Sequence, residues 1–540
     1  MPAPIPVKDA EPPWPSRNAR GYEIPNKPFG SLRPLKVIAI GAGISGISLA
    51  HSVETDGEQI DLQIYELGGD YGGTWYWNKY PGCRCDIPSI NYQNRFRLAK
   101  YFKLHHEVVH AQWLPDTNQW EITVRSNDGA EFTSRCDVFI NAGGVLNAWK
   151  WPDIKGLHSF QGILCHTARW PDDVDLKGKR VAIVGSGSSG IQLLATVQPE
   201  CRKVYHWIRT CHQPVLPLTL PGSPTWITSA FAQKFAGPDG KNFLYTEEQK
   251  QRFAENPLES LKYRKMIESE LNQRFRFLIK GTPEQTAALE TRLKGNQRLI
   301  DAMIPTKFLV GCRRPTPGNG YLEALNEPNV QVYTEMFQRV TEKGFIDHQG
   351  NEVEVDVFVC ATGFDTSFRP RFPVINAQGI NIQDLWRDYP IDSYLSIAIK
   401  DTPNILKKMQ KENITKMDIS PEAVRDFNEH RDLYLKRTTW SGTCSSWFKP
   451  GPDASPVMFP GNRVLIIELL TNPRWEDWRY TYGYAGNRFG YMGNGFTMRE
   501  LDGRDTTFYY GLLDGKDEQP DYADVQSRYT FNIAAPVSRP

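Results

Sequence analysis

Two glycine-rich segments with the same spacing are the part of this sequence best suited to chemistry. They read Gly41-Ala-Gly-Ile-Ser-Gly46 and Gly185-Ser-Gly-Ser-Ser-Gly190. In a G-x-G-x-x-G loop, the first glycine makes a tight turn, the second lets the backbone approach a pyrophosphate, and the third lets a helix pack on a strand. The sequence therefore predicts two dinucleotide sites, with candidate residues Gly41, Gly43 and Gly46 in the first and Gly185, Gly187, Ser188, Ser189 and Gly190 in the second.

The residues that follow each loop indicate which dinucleotide it binds. Glu66 lies 20 residues after Gly46, where an acid accepts hydrogen bonds from ribose hydroxyls, which favours FAD or NAD. The second segment has Arg209 and Thr210 in the equivalent place, and an arginine binds a 2′-phosphate well, which favours NADPH. The competing interpretation is that Glu66 and Arg209 are ordinary surface side chains. The expected cofactors are FAD and NADPH, with NADPH reducing the flavin.

Two copies of a strand–loop–helix–strand unit must position these loops. The first has apolar runs at 36–40 and 62–65 around a helix at 44–53, and the second has runs at 180–184 and 203–208 around a helix at 191–197. We also expect a buried strand over 353–360 and an amphipathic helix over 420–436 that begins at Ser420 and Pro421. The predicted fold class is α/β, with two Rossmann-like domains, one for FAD and one for NADP, and a helical insert.

The predicted domain organisation follows from these units. Residues 1–33 form an N-terminal arm, and 34–150 together with 376–540 form a discontinuous FAD-binding domain. Residues 151–375 form the NADP-binding domain, with the charged helical insert at about 216–300.

Composition excludes several other classes of protein. The net charge is +1, which gives no reason to expect a nucleic acid partner. No apolar run approaches the ~20 residues of a transmembrane helix, and there is no secretory leader, so a cytoplasmic location is expected. Nine scattered cysteines without a C-x2-C pair predict reduced thiols and no metal site.

A segment between the two loops carries a resemblance to a known family. Residues 160–171 read Phe160-Gln-Gly-Ile-Leu-Cys-His-Thr-Ala-Arg-Trp-Pro171 and fit F-x-G-x3-H-x3-W-P, the fingerprint of type I Baeyer–Villiger monooxygenases, in full. Related N- or S-oxidising flavin monooxygenases end this pattern differently, so Trp170 is the discriminating residue. The fingerprint positions in this chain are Phe160, Gly162, His166, Trp170 and Pro171. We expect His166 to support a domain contact and not to transfer protons.

Further segments resemble the same family and imply roles for more residues. The stretch 72–86 is similar to its flavin-contacting segment, which implies that Thr74, Trp75, Tyr76, Trp77, Tyr92 and Val109 contact FAD. Arg84 and Asp86 would lie where flavin meets nicotinamide. Gly311-Cys-Arg-Arg-Pro315 is similar to the segment with the catalytic arginine, which makes Arg314 that arginine and Asp86 the acid that orients it. Arg313 would reach the NADP phosphate.

The resemblance implies a reaction as well as a fold. NADPH reduces FAD, the reduced flavin reacts with O2, and one oxygen atom is inserted beside a ketone carbonyl to give an ester or lactone. Within the family, the chain resembles fungal members that oxidise polyketide ketones in secondary metabolism. The particular ketone and the oligomeric state are not indicated by the sequence.

One segment departs from the family pattern. The family usually has a Gly-containing stretch before a helix whose N-terminus points at the flavin, but here Asn404 is followed at once by Ile405-Leu-Lys-Lys-Met. The shortening leaves open a catalytically degenerate, nucleotide-binding relative. Two dinucleotide loops are also compatible with an N- or S-oxygenating flavin monooxygenase and with a disulfide-reductase-like flavoenzyme, although Cys83 and Cys85 are a poor redox pair for such a reductase.

Overall fold

The computed structural model describes residues 17–83, 98–208, 246–273, 279–280, 312, 320–388, 391–395, 402–444, 446–449, 454–523 and 525. The strands are β1 (Leu35–Ile40), β2 (Ile60–Tyr65), β3 (Phe102–Lys103), β4 (His106–Leu114), β5 (Gln119–Ser126), β6 (Glu131–Cys136), β7 (Val138–Asn141), β8 (Ile163–His166), β9 (Arg180–Val184), β10 (Lys203–Trp207), β11 (Val330–Tyr333), β12 (Arg339–Val340), β13 (Gly344–Ile346), β14 (Glu352–Glu354), β15 (Val357–Cys360), β16 (Val374–Ile375), β17 (Ile414–Ile419) and β18 (Trp478–Tyr482). The helices are α1 (Ile44–Asp56), α2 (Thr74–Trp77), α3 (Ser188–Val197), α4 (Glu247–Glu255), α5 (Pro257–Gln273), α6 (Tyr321–Leu325), α7 (Ile382–Asp388), α8 (Thr402–Glu412), α9 (Pro421–Leu435) and α10 (Arg463–Thr471).

The first unit is a parallel sheet in the order β3-β2-β1-β7. Val37 and Ala39 of β1 pack on one face with Leu49 of α1, whereas Ile38 packs on the other face against the next sheet. Both faces of β1 are therefore buried, which is why its sequence is a nearly continuous apolar run rather than an alternating one.

The second unit is a parallel sheet in the order β11-β10-β9-β15-β8. In β9, Val181 and Ile183 face the core that contains α3, and Ala182 and Val184 face a core rich in aromatic side chains. The two loops follow β1 and β9, each of which lies between two other strands of its sheet, as the duplicated sequence units predict. The predicted α/β class with two Rossmann-like units is confirmed.

The buried strand predicted over 353–360 is wrong as a single element. β14 ends at Glu354 in an antiparallel sheet with β12 and β13, and β15 begins at Val357 in the parallel sheet. Asp356 makes the break, because its carboxylate accepts hydrogen bonds from the Arg180 backbone N–H at 2.7 Å and from its guanidinium at 2.8 Å. An acid with these partners turns the chain where apolar periodicity alone predicts continuity.

The chain returns to the first unit after β15. β16 pairs with β4 in a mostly antiparallel sheet of order β16-β4-β5-β6, whose apolar face covers Ile38 and Tyr65. Helix α8 then packs on α1, with Leu406 and Met409 in the same core. A helix is thus present directly at the shortened segment around Asn404.

The predicted helix start at Ser420 agrees with the structure. Ser420 Oγ accepts a hydrogen bond from the Ala423 N–H at 3.1 Å, and Pro421 occupies the first turn of α9. The N-terminal arm lies along the C-terminal segment, where the Phe29 N–H donates to the Phe496 carbonyl and the Met498 N–H donates to the Phe29 carbonyl. Among the described residues, no helix is long and apolar enough to cross a membrane.

The expectation that all cysteines are reduced is wrong for one pair. Cys312 and Cys444 form a disulfide across 132 residues of sequence, and both are buried. Cys136, Cys165 and Cys360 stay as buried thiols, and burial raises the pKa of each to about 12. Single cysteines far apart in sequence give no indication of pairing, because only the folded chain brings Cys312 to Cys444.

Candidate active site and dinucleotide sites

The first glycine-rich loop has the close backbone packing that its sequence predicts. Gly41 has φ +99°, and a Cβ on Gly46 would lie 2.0 Å from the Gly41 carbonyl oxygen. Any side chain at 46 would therefore push α1 away from β1. Helix α1 begins after Gly43 with no side-chain cap and no acid in its first turn, so its amide groups remain available to an anion.

Glu66 lies beside this loop and organises its backbone. Its side chain is buried, and its two carboxylate oxygens accept hydrogen bonds from the backbone N–H groups of Ala42 and Gly68, each at 2.7 Å. A carboxylate oxygen has a second lone pair, so Glu66 holds the loop and still has acceptor capacity for a ribose hydroxyl.

The second loop repeats this geometry. Gly185 has φ +115°, and a Cβ on Gly190 would lie 1.9 Å from the Gly185 carbonyl oxygen. A Cβ on Gly187 would meet nothing within 4 Å, so open space lies in front of the glycine whose backbone approaches a pyrophosphate. Helix α3, which begins with Ser188 and Ser189, also has no side-chain cap and no acid in its first turn.

Three other helices of the described chain begin differently from α1 and α3. The helices α4, α9 and α10 each begin with a side-chain cap, from Thr246, Ser420 and Asn462. Such caps satisfy the free N–H groups of the first turn. The uncapped ends of α1 and α3 therefore fit dinucleotide phosphates, the groups that FAD and NADPH would bring to them.

The predicted flavin-contacting residues Thr74, Trp75, Tyr76 and Trp77 form the single turn α2. This turn follows Gly73, whose φ is +53° and whose Cβ would lie 2.8 Å from the Gly43 Cα. Tyr76 Oη accepts a hydrogen bond from the Gly69 N–H at 3.2 Å. The turn thus lies against the first loop. Val109 lies elsewhere, at the irregularity of β4 between Val108 and His110.

The fingerprint segment, residues 160–171, enters and leaves β8 beside the second loop. Phe160 and Trp170 are buried, and a Cβ on Gly162 would lie 2.7 Å from the Asp356 carbonyl oxygen. Trp170 and the adjoining Pro171 follow the turn after β8, and Trp170 packs in the core that contains α3. Phe160 and Trp170 are therefore packing positions of the pattern.

His166 joins the ends of two strands. Its Nδ1 accepts a hydrogen bond from the Ala168 N–H at 3.1 Å, so Nε2 carries the proton toward Thr362 Oγ1 at 3.2 Å. The ring stacks on Trp149 with centroids 4.7 Å apart. Burial, and to a smaller extent Arg169, lowers the pKa of His166 to about 4. The ring is neutral near pH 7, which suits a structural contact rather than proton transfer.

Four contacts join α2 and the residues after it to the second unit, and we call them the domain seam. They are Trp77 with Arg169, Lys79 with Asp172, Tyr80 with Gln192, and Gly82 with Thr196. The Arg169 guanidinium carbon lies 3.8 Å from the centre of the Trp77 ring. Arg169 occupies an unspecified position of the fingerprint, so the pattern gives no signal for it, and the sequence interpretation missed it.

Several predicted site residues lie outside the described residues. They are Arg84, Asp86, Tyr92, Arg209, Thr210, Arg313 and Arg314. Their roles in cofactor binding and catalysis stay predictions.

Comparisons with known proteins agree with this site. The family of flavin-binding monooxygenase-like proteins matches residues 89–277, and an NAD(P)-binding Rossmann-like domain matches residues 40–103. The FAD-binding monooxygenase tazF of Aspergillus terreus is 34% identical, over 88% of this chain and 94% of its own length. A Baeyer-Villiger monooxygenase of Streptomyces coelicolor is 27% identical, over 79% of this chain and 89% of its own. The closed crystal structure of cyclohexanone monooxygenase has a TM-score of 0.67 at 21% identity, over 84% of this chain and 100% of that one.

The chain belongs to the flavin-binding monooxygenase family. The resemblance to Baeyer–Villiger monooxygenases and to fungal members is confirmed as a family placement. The predicted enzyme class, which is a flavin-dependent monooxygenase, and the expected cofactors FAD and NADPH are confirmed as well.

Proposed function

We propose that this enzyme uses NADPH and O2 to convert a ketone into an ester or lactone, and that its substrate is a ketone of fungal secondary metabolism. The observation that carries the proposal is the fingerprint segment. Its His166 contacts Thr362 after β15, and its Trp170 packs in the core that contains α3, the helix that follows the second glycine-rich loop. Relatives named as a Baeyer-Villiger monooxygenase and as fungal FAD-binding monooxygenases support it.

The residues of the chain supply binding, orientation and charge. When bound, FAD accepts hydride from NADPH and activates O2. Glu66 and the amides of α1 hold one dinucleotide, and the amides of α3 hold the other. We assign 34–150 with 376–540 to the FAD domain and 151–375 to the NADP domain.

The catalytic charge is assigned to Arg314, oriented by Asp86. Oxygen insertion beside a carbonyl develops negative charge on oxygen, and a fixed cation aimed at that oxygen contributes about 3–4 kcal/mol. A guanidinium also forms a bidentate pair with a carboxylate, which lysine cannot do. Arg313 and Arg209 are assigned to the phosphate of NADPH, with Thr210 beside them.

The first experiment measures flavin reduction without substrate. The purified protein should show a flavin absorbance spectrum that NADPH bleaches anaerobically and NADH bleaches poorly. A ketone panel then tests ester formation in air. Oxidation of amines or sulfides without any ketone turnover would favour an N- or S-oxygenating enzyme, and a protein that takes up no FAD would favour the degenerate relative.

A variant pair tests the assigned arginine. Arg314→Ala should lower ester formation about 100- to 1,000-fold, while NADPH consumption continues and releases hydrogen peroxide. Arg313→Ala is the matched control, and we expect it to raise the KM for NADPH while products per NADPH stay unchanged. Wild-type ester yield in Arg314→Ala would contradict the assignment.

A further inference from the structure

Arg169 is a cation at the domain seam without an acidic partner among the described residues. Its Nη1 donates a hydrogen bond to the Ala168 carbonyl at 2.8 Å, and its guanidinium covers the Trp77 ring. No ion pair within 4.0 Å joins it to a carboxylate in the part of the chain that the structure describes. Side chains of this kind are usually paired when they are partly buried. Its remaining N–H groups therefore have capacity for an anion.

The surroundings of Arg169 place it toward the first dinucleotide site. Trp77 belongs to α2, which lies against the first loop through Gly73 and Gly43. Burial lowers the pKa of Arg169, and attraction from Glu66 and Tyr76 opposes this shift. Glu66 is therefore an electrostatic neighbour, yet its two oxygens are held by Ala42 and Gly68. Arg169 is thus attracted by Glu66, although no ion pair within 4.0 Å joins these two described residues.

We propose that Arg169 is a phosphate ligand of FAD, contributed to the first dinucleotide site by the segment that leads into the second domain. This inference rests on the proposed function, because it takes FAD to be the occupant of the first site. A pyrophosphate adjoins the ribose of any dinucleotide, and a guanidinium binds phosphate with two parallel hydrogen bonds. The Trp77 ring fixes the plane of the guanidinium. FAD would then tie the two domains together at the seam.

The test measures FAD binding without turnover. FAD is removed, and its dissociation constant is measured from flavin fluorescence for the wild type, Arg169→Gln and Arg169→Lys at two salt concentrations. Loss of a charged hydrogen bond should weaken binding roughly 10- to 100-fold in Arg169→Gln. Arg169→Lys should be intermediate, since it keeps the charge and loses the fork. The salt dependence of FAD binding should fall in Arg169→Gln.

Lys79→Gln is the matched control. Lys79 forms an ion pair across the same seam with Asp172, at 3.6 Å between Nζ and Oδ1, and both side chains are exposed. Its loss should change FAD affinity less than about twofold, since exposed pairs contribute little. The thermal midpoint of each protein without FAD separates packing from binding.

The outcomes of this test are distinguishable. Unchanged FAD affinity in Arg169→Gln, with a lower thermal midpoint without FAD, would overturn the inference and make Arg169 a packing residue of the seam. Weaker NADP+ binding with unchanged FAD binding would also overturn it. If Arg169→Gln weakens FAD binding but the wild type oxidises no ketone, the inference holds and the proposed reaction fails.

Discussion

Removal of the Cys312–Cys444 disulfide should destabilise the protein by an amount that its loop length predicts. The bond closes a loop over a sequence separation of 132 residues. The chain-entropy relation gives about 17 cal/mol/K for a loop of this length, or about 5 kcal/mol at 25 °C. Because unfolded chains keep residual structure, we expect a loss of about 2–5 kcal/mol in the free energy of unfolding of a C312A/C444A variant.

The folded contacts around the disulfide show where the loss will appear. The Lys280 N–H donates to the Arg437 carbonyl, and Lys280 Nζ donates to the Lys436 carbonyl. Arg463 pairs with Glu268 of α5. These contacts join Glu268 and Lys280 to the C-terminal segment, to which the disulfide also joins Cys312. Hydrogen exchange at the Lys280 amide should therefore accelerate more than exchange in β1 or β9.

The assay is denaturant unfolding of the FAD-loaded protein, with and without a thiol reductant. Reductant should lower the unfolding midpoint of the wild type and leave that of C312A/C444A unchanged. Cys165→Ala is the control, because Cys165 is a buried thiol outside any described disulfide. It should lose stability through a cavity alone and remain as sensitive to reductant as the wild type.

Two observations would refute this reasoning. The first is a titration that finds nine free thiols, one for each cysteine, in the denatured, unreduced protein. A protein with the disulfide has two free thiols fewer than that. The second is an unfolding midpoint of the wild type that does not respond to reductant although the thiol count shows that the bond has been reduced.

Three further predictions concern the dinucleotide sites and the fingerprint. Glu66→Gln should weaken FAD binding, measured by flavin fluorescence, about 5- to 100-fold. A side-chain amide cannot accept hydrogen bonds at both of its terminal atoms from the Ala42 and Gly68 N–H groups. Equal FAD affinity in the variant and the wild type would contradict the role of Glu66. Gly187→Ala should raise the NADPH dissociation constant about tenfold or more. Its FAD content and thermal midpoint should stay unchanged, because the added Cβ meets no protein atom within 4 Å. A lower FAD content would show that the space is not reserved for NADPH. The neutral His166 ring should contribute fully to the free energy of unfolding above pH 6.5, and up to about 3 kcal/mol of this contribution should be lost as the pH falls toward 4, because burial lowers its folded pKa to about 4. The variant His166→Gln should flatten this part of the profile of unfolding free energy against pH. A profile that does not change in the variant would argue against the pKa shift.

The sequence by itself determined the parts of this protein that depend on contiguous residues. A G-x-G-x-x-G loop works through turn geometry and helix packing within a few residues, so the positions of Gly41, Gly46, Gly185 and Gly190 could be assigned from spacing alone. The family placement followed from the fingerprint segment for the same reason. The helix start at Ser420 is also a local hydrogen bond between neighbours in sequence.

Only the tertiary structure decided the contacts between residues far apart in the chain. The break in the predicted strand at Asp356 depends on Arg180, and the position of His166 depends on Thr362. The disulfide joins cysteines that are 132 residues apart in sequence and that no spacing pattern pairs. Such pairs are chosen by the packing of whole elements, and apolar periodicity records which face of a strand or helix is buried but not which residue lies opposite.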